Sequence, residues 1–180
     1  CSHLYIVASG LVILYKINSL GERKVIFTLG EGQIINEVVL QGMPSSVSCE
    51  AFTDGSVICL DKEKLLQIME KDFVLTRIIF DSLSQKMRRL YRQLKNTSNS
   101  IRGDKKIAAK LWKLSTDESI ATVEDGKIAI HITVTFLADM LGSKRETVSR
   151  QLKLLSQKGL IQMSGGTIFI ADRKALADYF

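Results

Sequence analysis

The sequence predicts an α+β protein with an antiparallel β-roll in its first third and a mainly helical remainder. Residues 4–60 contain short runs rich in Val, Ile, Leu and aromatic residues, and turn signals separate these runs at intervals typical of an antiparallel barrel or roll. From residue 61 onward, apolar residues recur at helical spacing. The polar, apolar-free segment "NTSNS" at 96–100 then predicts a boundary before a smaller C-terminal domain.

The predicted strands of the roll are "LYIVASG", "LVILYKI", "KVIFTL" and "SVICL". Asp61 is a good N-cap and predicts a short helix that ends near residue 70. We therefore place a first domain at 1–71. Its opening residues already resemble a strand, and residue 1 is Cys rather than Met, so we expect that the natural chain begins earlier.

The net charge, the lengths of the apolar runs and the cysteine count limit the classes of protein to which the chain can belong. The 180 residues carry a formal net charge of +6, which permits nucleic-acid binding, and no apolar run approaches the ~20 residues that span a bilayer. The cysteines, Cys1, Cys49 and Cys59, are odd in number and form no C-x-x-C pair, which favours a reducing cytoplasm and argues against a disulfide framework or a structural zinc site. We expect Cys49 and Cys59 to pack as small apolar side chains, with a redox role as the alternative.

A long helix is predicted at 72–95, with a heptad spacing that allows two interpretations. Residues of this heptad seam follow one another at intervals of three and four: Phe73, Thr76, Phe80, Leu83, Met87, Leu90 and Leu94. The seam could lie on the protein's own sheet, or it could pair with a second copy in a parallel coil. Because it is unbroken, we favour a homodimer joined along this helix.

A hinge at 96–103 is predicted to precede a domain at 104–180. Its predicted elements are a helix at 104–115 with Trp112 in the core, a hairpin around Asp125-Gly126, a helix at 133–141, a turn at Gly142, a helix at 144–158, a hairpin around Gly165-Gly166, and a short last helix. Two helices joined by a glycine turn and followed by a hairpin are typical of a winged helix-turn-helix domain.

The helix at 144–158 has two different sides. One side is an apolar stripe of Val148, Leu152 and Leu155, which predicts packing on the preceding helix. The other side presents polar and charged residues: Arg145, Glu146, Ser149, Arg150 and Lys153. Within 143–158, five Lys and Arg residues oppose one Glu, so the segment has a charge of 5 − 1 = +4.

These residue types suit a DNA groove. Arginine can bond two acceptors of guanine, glutamate can accept from cytosine, and serine is an adaptable donor. Lys144 and Lys153 are expected to contact phosphates, and Thr133, which begins the preceding helix, is also a candidate DNA contact. Two alternatives remain open: a plain solvated face, and a structural role for Glu146 in a capping box with Ser143 as N-cap.

The segment "ITVTFLADMLGSKRETVSRQLKLLSQKGLI" resembles the helix-turn-helix of Crp/Fnr regulators, and the resemblance extends over nearly the whole chain. It implies a cyclic-nucleotide-binding-like jelly roll, a dimerisation helix and a winged helix-turn-helix domain. It further implies a homodimer on palindromic double-stranded DNA, with RNA polymerase as a partner. Arg145, Glu146 and Arg150 match the base-reading residues of the cyclic-AMP branch, whereas Ser149 matches the E-x-x-S-R form of the Fnr branch.

The same resemblance identifies candidates for an effector pocket. Asn36-Glu37 stands where the cyclic-AMP branch has Gly-Glu, Ser45-Ser46 where it has Arg-Ser, and Gln93-Leu94 where it has a Thr-Ser pair for adenine. Arg89 lies one turn earlier and is a further candidate. A phosphate site without its arginine lacks a charge-assisted partner, so we expect an effector other than cyclic AMP. No cofactor is evident, since an iron–sulfur cluster usually needs four cysteines.

The rival classes are a cupin-like enzyme and a ligand-binding module that does not bind DNA. A cupin site needs converging His and carboxylate ligands, and the two histidines are far apart in the sequence. No catalytic residue or metal ligand is predicted. A ligand-binding module alone would leave the basic helix unexplained.

Overall fold

The computed structural model describes residues 2–95 and 102–180, which form two compact units. The elements before residue 96 are β1 (His3–Ser9), β2 (Val12–Ile17), β3 (Arg23–Leu29), β4 (Ile34–Ile35), a 3-10 helix (Glu37–Gln41), β5 (Ser48–Ala51), β6 (Ser56–Asp61), α1 (Lys62–Lys71) and α2 (Phe73–Lys95). The predicted hinge at 96–103 lies mostly outside the described residues, which resume at Arg102.

The predicted β-roll is confirmed. Its strands form two sheets with the orders β4–β1–β6 and β3–β2–β5. Along β3, Val25, Phe27 and Leu29 are buried and alternate with less buried residues, as expected for a strand with one face in the core. Both sheets contribute to one apolar cluster: Val7, Val12, Leu14, Phe27, Leu29 and Ile35. The strands β4 and β5 were not predicted, because β4 has two residues and β5 is exposed throughout.

The cysteines of the roll do not pack in the core, so this prediction was wrong. Cys49 on β5 and Cys59 on β6 are both exposed. Each strand lies at the edge of its sheet, where a small apolar residue is not necessarily covered. Partial desolvation, and secondly the neighbouring charge of Glu50, raise the pKa of the Cys49 thiol above its usual range. A raised pKa reduces the thiolate fraction at neutral pH and therefore the reactivity of this cysteine.

Asp side chains define the starts of both helices that follow the roll. Asp61 is the N-cap of α1, as predicted, and its carboxylate accepts hydrogen bonds from the backbone amides of Glu63 (2.9 Å) and Lys64 (3.4 Å). Asp72 accepts in the same way from the amides of Val74 and Leu75 at the start of α2. Both carboxylates satisfy amide groups that have no partner within the helix.

Two faces of α2 have different environments. Ile79 is 1% exposed and packs in a cluster with Leu4, Ile34, Val39 and Leu65. By contrast, the apolar members of the heptad seam whose side chains are described are 39–77% exposed: Phe73, Phe80, Leu83, Met87 and Leu90. The interpretation that the seam lies on the protein's own sheet was therefore wrong, because α2 packs on the roll through a different face.

The elements after residue 101 are α3 (Gly103–Leu114), β7 (Ala121–Glu124), β8 (Lys127–Ile130), α4 (Val134–Leu141), α5 (Arg145–Gln157), β9 (Gln162–Ser164), β10 (Thr167–Ile170) and α6 (Arg173–Asp178). The strands form one sheet in the order β7–β8–β10–β9, and both the sheet and the helices contribute buried apolar residues. Both hairpin turns are where they were predicted. Positive φ angles at both residues of each turn, Asp125-Gly126 and Gly165-Gly166, agree with type I′ geometry.

Trp112 is not a core residue, so this prediction was wrong. The core face of α3 is formed by smaller side chains, among them Ile107, Ala108 and Leu111. Trp112 is 36% exposed, its ring meets Phe180 edge-on at 6.2 Å, and the guanidinium of Arg173 lies 4.5 Å from the ring centroid. The indole therefore covers the outer side of α3, where a cation–π contact replaces burial.

Candidate DNA-binding interface and effector pocket

The helix α4 starts at a side-chain cap. Thr133 is exposed, and its hydroxyl oxygen accepts a hydrogen bond of 3.0 Å from the amide of Phe136. Phe136, Leu137 and Ala138 are buried and fix the helix in the domain core. Because the Thr133 oxygen acts as an acceptor here, its hydroxyl proton remains available for an external acceptor such as a phosphate oxygen.

A glycine in the left-handed region makes the turn from α4 to α5. Gly142 has φ 59° and ψ 44°, a conformation that costs other residues more than glycine. The amide of the next residue, Ser143, donates a hydrogen bond of 3.0 Å to the carbonyl of Ala138. This bond ends α4 and directs the chain into α5 within two residues.

The N-cap of α5 is Lys144 rather than Ser143. Lys144 has the extended conformation of an N-cap, φ −68° and ψ 141°, and no side chain caps the helix. Glu146 is therefore the second helical residue and not the third, so the capping box predicted as an alternative does not exist. The carboxylate of Glu146 is exposed. Its structural contribution is reduced to a favourable charge in the first turn of the helix.

The two sides of α5 are confirmed. Val148 is 1% exposed, and Leu152 and Leu155 are fully buried. The residues predicted to face DNA are all exposed: Arg145, Glu146, Ser149, Arg150 and Lys153. Within the described residues, none of these five side chains forms a hydrogen bond or an ion pair. The polar side of the helix is thus available to a partner while the apolar side anchors it.

One of the five cations counted within 143–158 does not belong to the exposed face of α5. Lys158 follows α5 and donates a hydrogen bond of 2.9 Å to the hydroxyl of Tyr179, and its ammonium lies 4.6 Å from the centroid of the same ring. The exposed face then has a charge of 4 − 1 = +3, from Lys144, Arg145, Arg150 and Lys153 against Glu146. Positive charge on an exposed helix is the complement that a DNA groove requires.

The second hairpin is the wing of this domain. Ser164 pairs with Thr167 across the turn of Gly165 and Gly166, and β10 anchors the hairpin through the fully buried Ile168. No charged residue stands at 164–167, so the tip offers hydroxyl and backbone groups only. A tip of this kind can donate hydrogen bonds to phosphates but brings no charge to them.

Comparisons with known proteins agree with this geometry. Residues 1–72 match the cyclic nucleotide-binding domain, and residues 105–179 match the Crp-like helix-turn-helix domain. The chain is 30% identical over 172 residues to the cAMP-activated global transcriptional regulator CRP of Salmonella typhimurium, covering 92% of this chain and 79% of that protein.

The chain belongs to the Crp/Fnr family of transcriptional regulators. The transcriptional regulator SdrP of Thermus thermophilus is 29% identical to it over 97% of this chain and 82% of that relative. The crystal structure of a CRP/FNR-family regulator from Thermus thermophilus superimposes with a TM-score of 0.85 at 28% identity, covering 98% of this chain and 86% of the other. The family consists of transcriptional regulators and not of enzymes, and the winged domain of this Crp/Fnr regulator is its DNA-binding domain.

In this Crp/Fnr regulator, two of the effector candidates donate hydrogen bonds to backbone carbonyls of other residues in the roll. Asn36 has φ 71° and donates a hydrogen bond of 2.8 Å to the carbonyl of His3. Ser45 donates to the carbonyl of Val47, and the neighbouring Ser46 is exposed. These contacts organise the loops of the roll, and they do not bring the side chains together around a cavity.

The remaining candidates lie on or against α2. Gln93 donates a hydrogen bond of 2.9 Å to the carbonyl of Ile26, and the guanidinium of Arg89 lies 5.1 Å from the ring centroid of Phe27. Glu37 is 6% exposed and contacts α2 from the 3-10 helix. All three side chains therefore connect the roll to α2.

A cleft of about 280 Å³ lies between the roll and α2. Its walls include Leu29, Gln33 and Asp81, and Arg89 is the one effector candidate that lines it. Two residues that the sequence did not identify, Ser82 and Lys86, also line it and bond to Glu37. A signal existed, because Ser82 and Lys86 follow Ile79 at helical spacing and a lysine on a packed helix face needs a partner.

Within the described residues, no group of three or more His, Cys, Asp or Glu side chains is arranged to hold a metal ion. Among the same residues, no helix has both the length and the apolar character needed to cross a membrane.

Proposed function

We propose that this regulator is a homodimer that binds a palindromic DNA site through α5, with an affinity modulated by an effector other than cyclic AMP. The observation that carries the proposal is the exposed face of α5, whose charged side chains have no partner within the described residues. Arg145, Glu146, Ser149 and Arg150 would read base edges, and Lys144, Lys153 and Thr133 would contact the backbone.

The heptad seam of α2 supports the homodimer. Large apolar side chains such as Phe80 and Met87 are 63% and 51% exposed, and they repeat at the spacing that two parallel helices need. A second copy of the same helix would bury them. Two α5 helices related by this dimer could then contact half-sites about one helical turn apart.

Sedimentation of a double variant tests the dimer. Leu83→Asp with Leu90→Asp would place four carboxylates in a two-chain seam, which is costly. We expect the variant to sediment as a monomer. Leu66→Asp with Ile68→Asp, on the exposed surface of α1, is the matched control and should leave the dimer intact. A fully dimeric seam variant would show that the chains associate elsewhere.

The proposed organisation assigns effector sensing to 1–71, dimerisation to 72–95 and DNA binding to 104–180, with 96–103 as the hinge. A regulator of this kind works with RNA polymerase in the cytoplasm, and we infer the same partner and compartment here. The exposed, unpaired thiols of Cys49 and Cys59 agree with a reducing compartment.

Selection of binding sites from a random duplex pool tests the function. We expect a palindromic consensus and a binding constant that falls steeply with salt, since counterions are released from the phosphates. Enrichment of a single half-site would contradict the dimer geometry. Failure to retain any duplex at low salt would instead favour a ligand-binding module without DNA binding.

A further inference from the structure

The carboxylate of Glu37 is buried where the roll meets α2. Glu37 begins the 3-10 helix and is 6% exposed. An ionised carboxylate out of water is unfavourable unless a counter-charge and hydrogen bonds compensate it. The structure supplies both from a single neighbouring helix, α2.

Lys86 provides the counter-charge. Its ammonium lies 2.6 Å and 2.7 Å from the two carboxylate oxygens of Glu37, and it donates a third hydrogen bond of 2.6 Å to the carbonyl of Ile34. An ammonium group has three N–H donors, so those of Lys86 are all used. Ser82, one turn earlier, donates a hydrogen bond of 2.6 Å to the same carboxylate. The protein's own side chains thus satisfy the buried charge.

The ion pair lies on the face of α2 that packs on the roll. Ile79, Ser82 and Lys86 follow at intervals of three and four, so they share one side of the helix, and Ile79 is fully packed there. The seam residues Phe80, Leu83 and Met87 each come one position later, which rotates them about 100° around the helix axis. Any rotation of α2 that breaks the ion pair therefore also turns the seam.

We propose that the Glu37–Lys86 ion pair is a positioning device that sets the rotation of α2 on the roll, and so the direction in which the heptad seam faces its partner, without a ligand on Glu37. The inference rests on the proposed homodimer. An effector then acts on α2 from the neighbouring cleft, beside Asp81 and Arg89, and not by binding to the carboxylate of Glu37.

Equilibrium sedimentation of the full chain, with no small molecule added, tests the proposal. Lys86→Met breaks the ion pair that holds α2 at its rotation on the roll, and breaking a buried pair is strongly destabilising to the arrangement it holds, so we expect the dimer dissociation constant to rise by roughly tenfold or more. Lys86→Arg keeps a cation and should recover most of the dimer affinity. Arg88→Met, on an exposed site of the same helix, is the matched control and should behave as wild type.

A double variant keeps the test valid if Lys86→Met does not fold. Glu37→Gln with Lys86→Met leaves no buried charge, so thermal unfolding should show a folded protein while the dimer remains weakened. Wild-type dimer affinity in the folded double variant, or in a folded Lys86→Met protein, would overturn the proposal. A wild-type protein that is itself monomeric would contradict the proposed function instead, which separates the two failures.

Discussion

The hydroxyl of Tyr179 donates a hydrogen bond of 2.6 Å to the carboxylate of Asp104, which is 2% exposed. This bond connects α3 to the residue after α6. It is the main reason that the pKa of Asp104 lies below its ordinary value of 3.8. Backbone hydrogen bonds from Lys105 and from Asp104 itself, together with the charge of Arg102, also lower the pKa, whereas burial opposes them.

The Asp104 bond predicts a pH-dependent stability. Because the folded-state pKa is lowered, the carboxylate stabilises the fold above pH 3.8, and this contribution is lost as the pH falls through the lower folded-state pKa. Tyr179→Phe should reduce the free energy of unfolding at pH 7 by about 1.5–3 kcal/mol, the usual range for a hydrogen bond to a charged group. Its stability should then fall less steeply below pH 3.8. Urea unfolding between pH 7 and a pH below 3.8 measures both effects, with the exposed Tyr91→Phe as control. The assignment would be refuted if both variants had the stability of wild type at every pH.

Arg145 and Arg150 are predicted to read bases. Alanine at either position should cost ~1–3 kcal/mol on the selected site and relax discrimination at one symmetric pair of positions. The family resemblance implies that this position is a guanine of a TGA-like half-site. Fluorescence anisotropy with the consensus duplex and with single-base variants measures both effects. Equal losses on every duplex would reassign the arginines to phosphates.

Lys144 and Lys153 are predicted to contact phosphates. Alanine at either position should weaken binding to all sequences about equally and reduce the salt slope by about 1. Lys71→Ala, at the end of α1, is the control and should leave the slope unchanged. The measurement is a salt titration on specific and scrambled duplexes, and a loss confined to the specific duplex would show that the lysine reads a base.

Glu146 is predicted to read cytosine, since the structure removes its role in a capping box. Glutamine can donate as well as accept, so Glu146→Gln should change the preference at one symmetric pair of positions. Glu118→Gln, an exposed residue outside α4 and α5, is the matched control. Selection from a random pool compares the three proteins. Identical consensus sites for all three would leave Glu146 as a surface charge only.

Cyclic AMP is predicted not to bind at physiological concentrations. Ser45 and Ser46 offer no cation for a phosphate, and Lys86 already occupies the carboxylate of Glu37. Calorimetric titration should show no saturable heat, with the Salmonella relative described as cAMP-activated as the positive control. Binding in the micromolar range would disprove the prediction.

The apolar stripe and polar face of α5 could be predicted because both depend on residues within three turns of one helix. Periodicity alone separates Val148 and Leu152 from Arg145 and Arg150. The cap could not be predicted, since Ser143 is the better N-cap by residue type. The left-handed turn at Gly142 and the following hydrogen bond of Ser143 decide that Lys144 caps the helix instead.

Contacts between residues far apart in the sequence could not be predicted from local sequence patterns. Glu37 and Lys86 are 49 positions apart, and no local periodicity connects them. The environment of Trp112 could not be predicted for a similar reason. Phe180 and Arg173, which contact its ring, lie far along the chain. Matching to a family placed Glu37 near an effector pocket, but it did not show that a lysine of the same chain already pairs with it.

The two faces of α2 leave little of this helix free to change. In each heptad, two positions belong to the seam and two more pack on the roll, so about four of every seven residues are committed. If the proposed dimer forms, an accepted mutation on the seam has to suit the partner chain, and one on the other face has to suit the chain's own roll. The sequence of such a helix is expected to change slowly during evolution, with compensating substitutions at contacting positions. Most neutral substitutions are expected at the remaining positions, which face solvent.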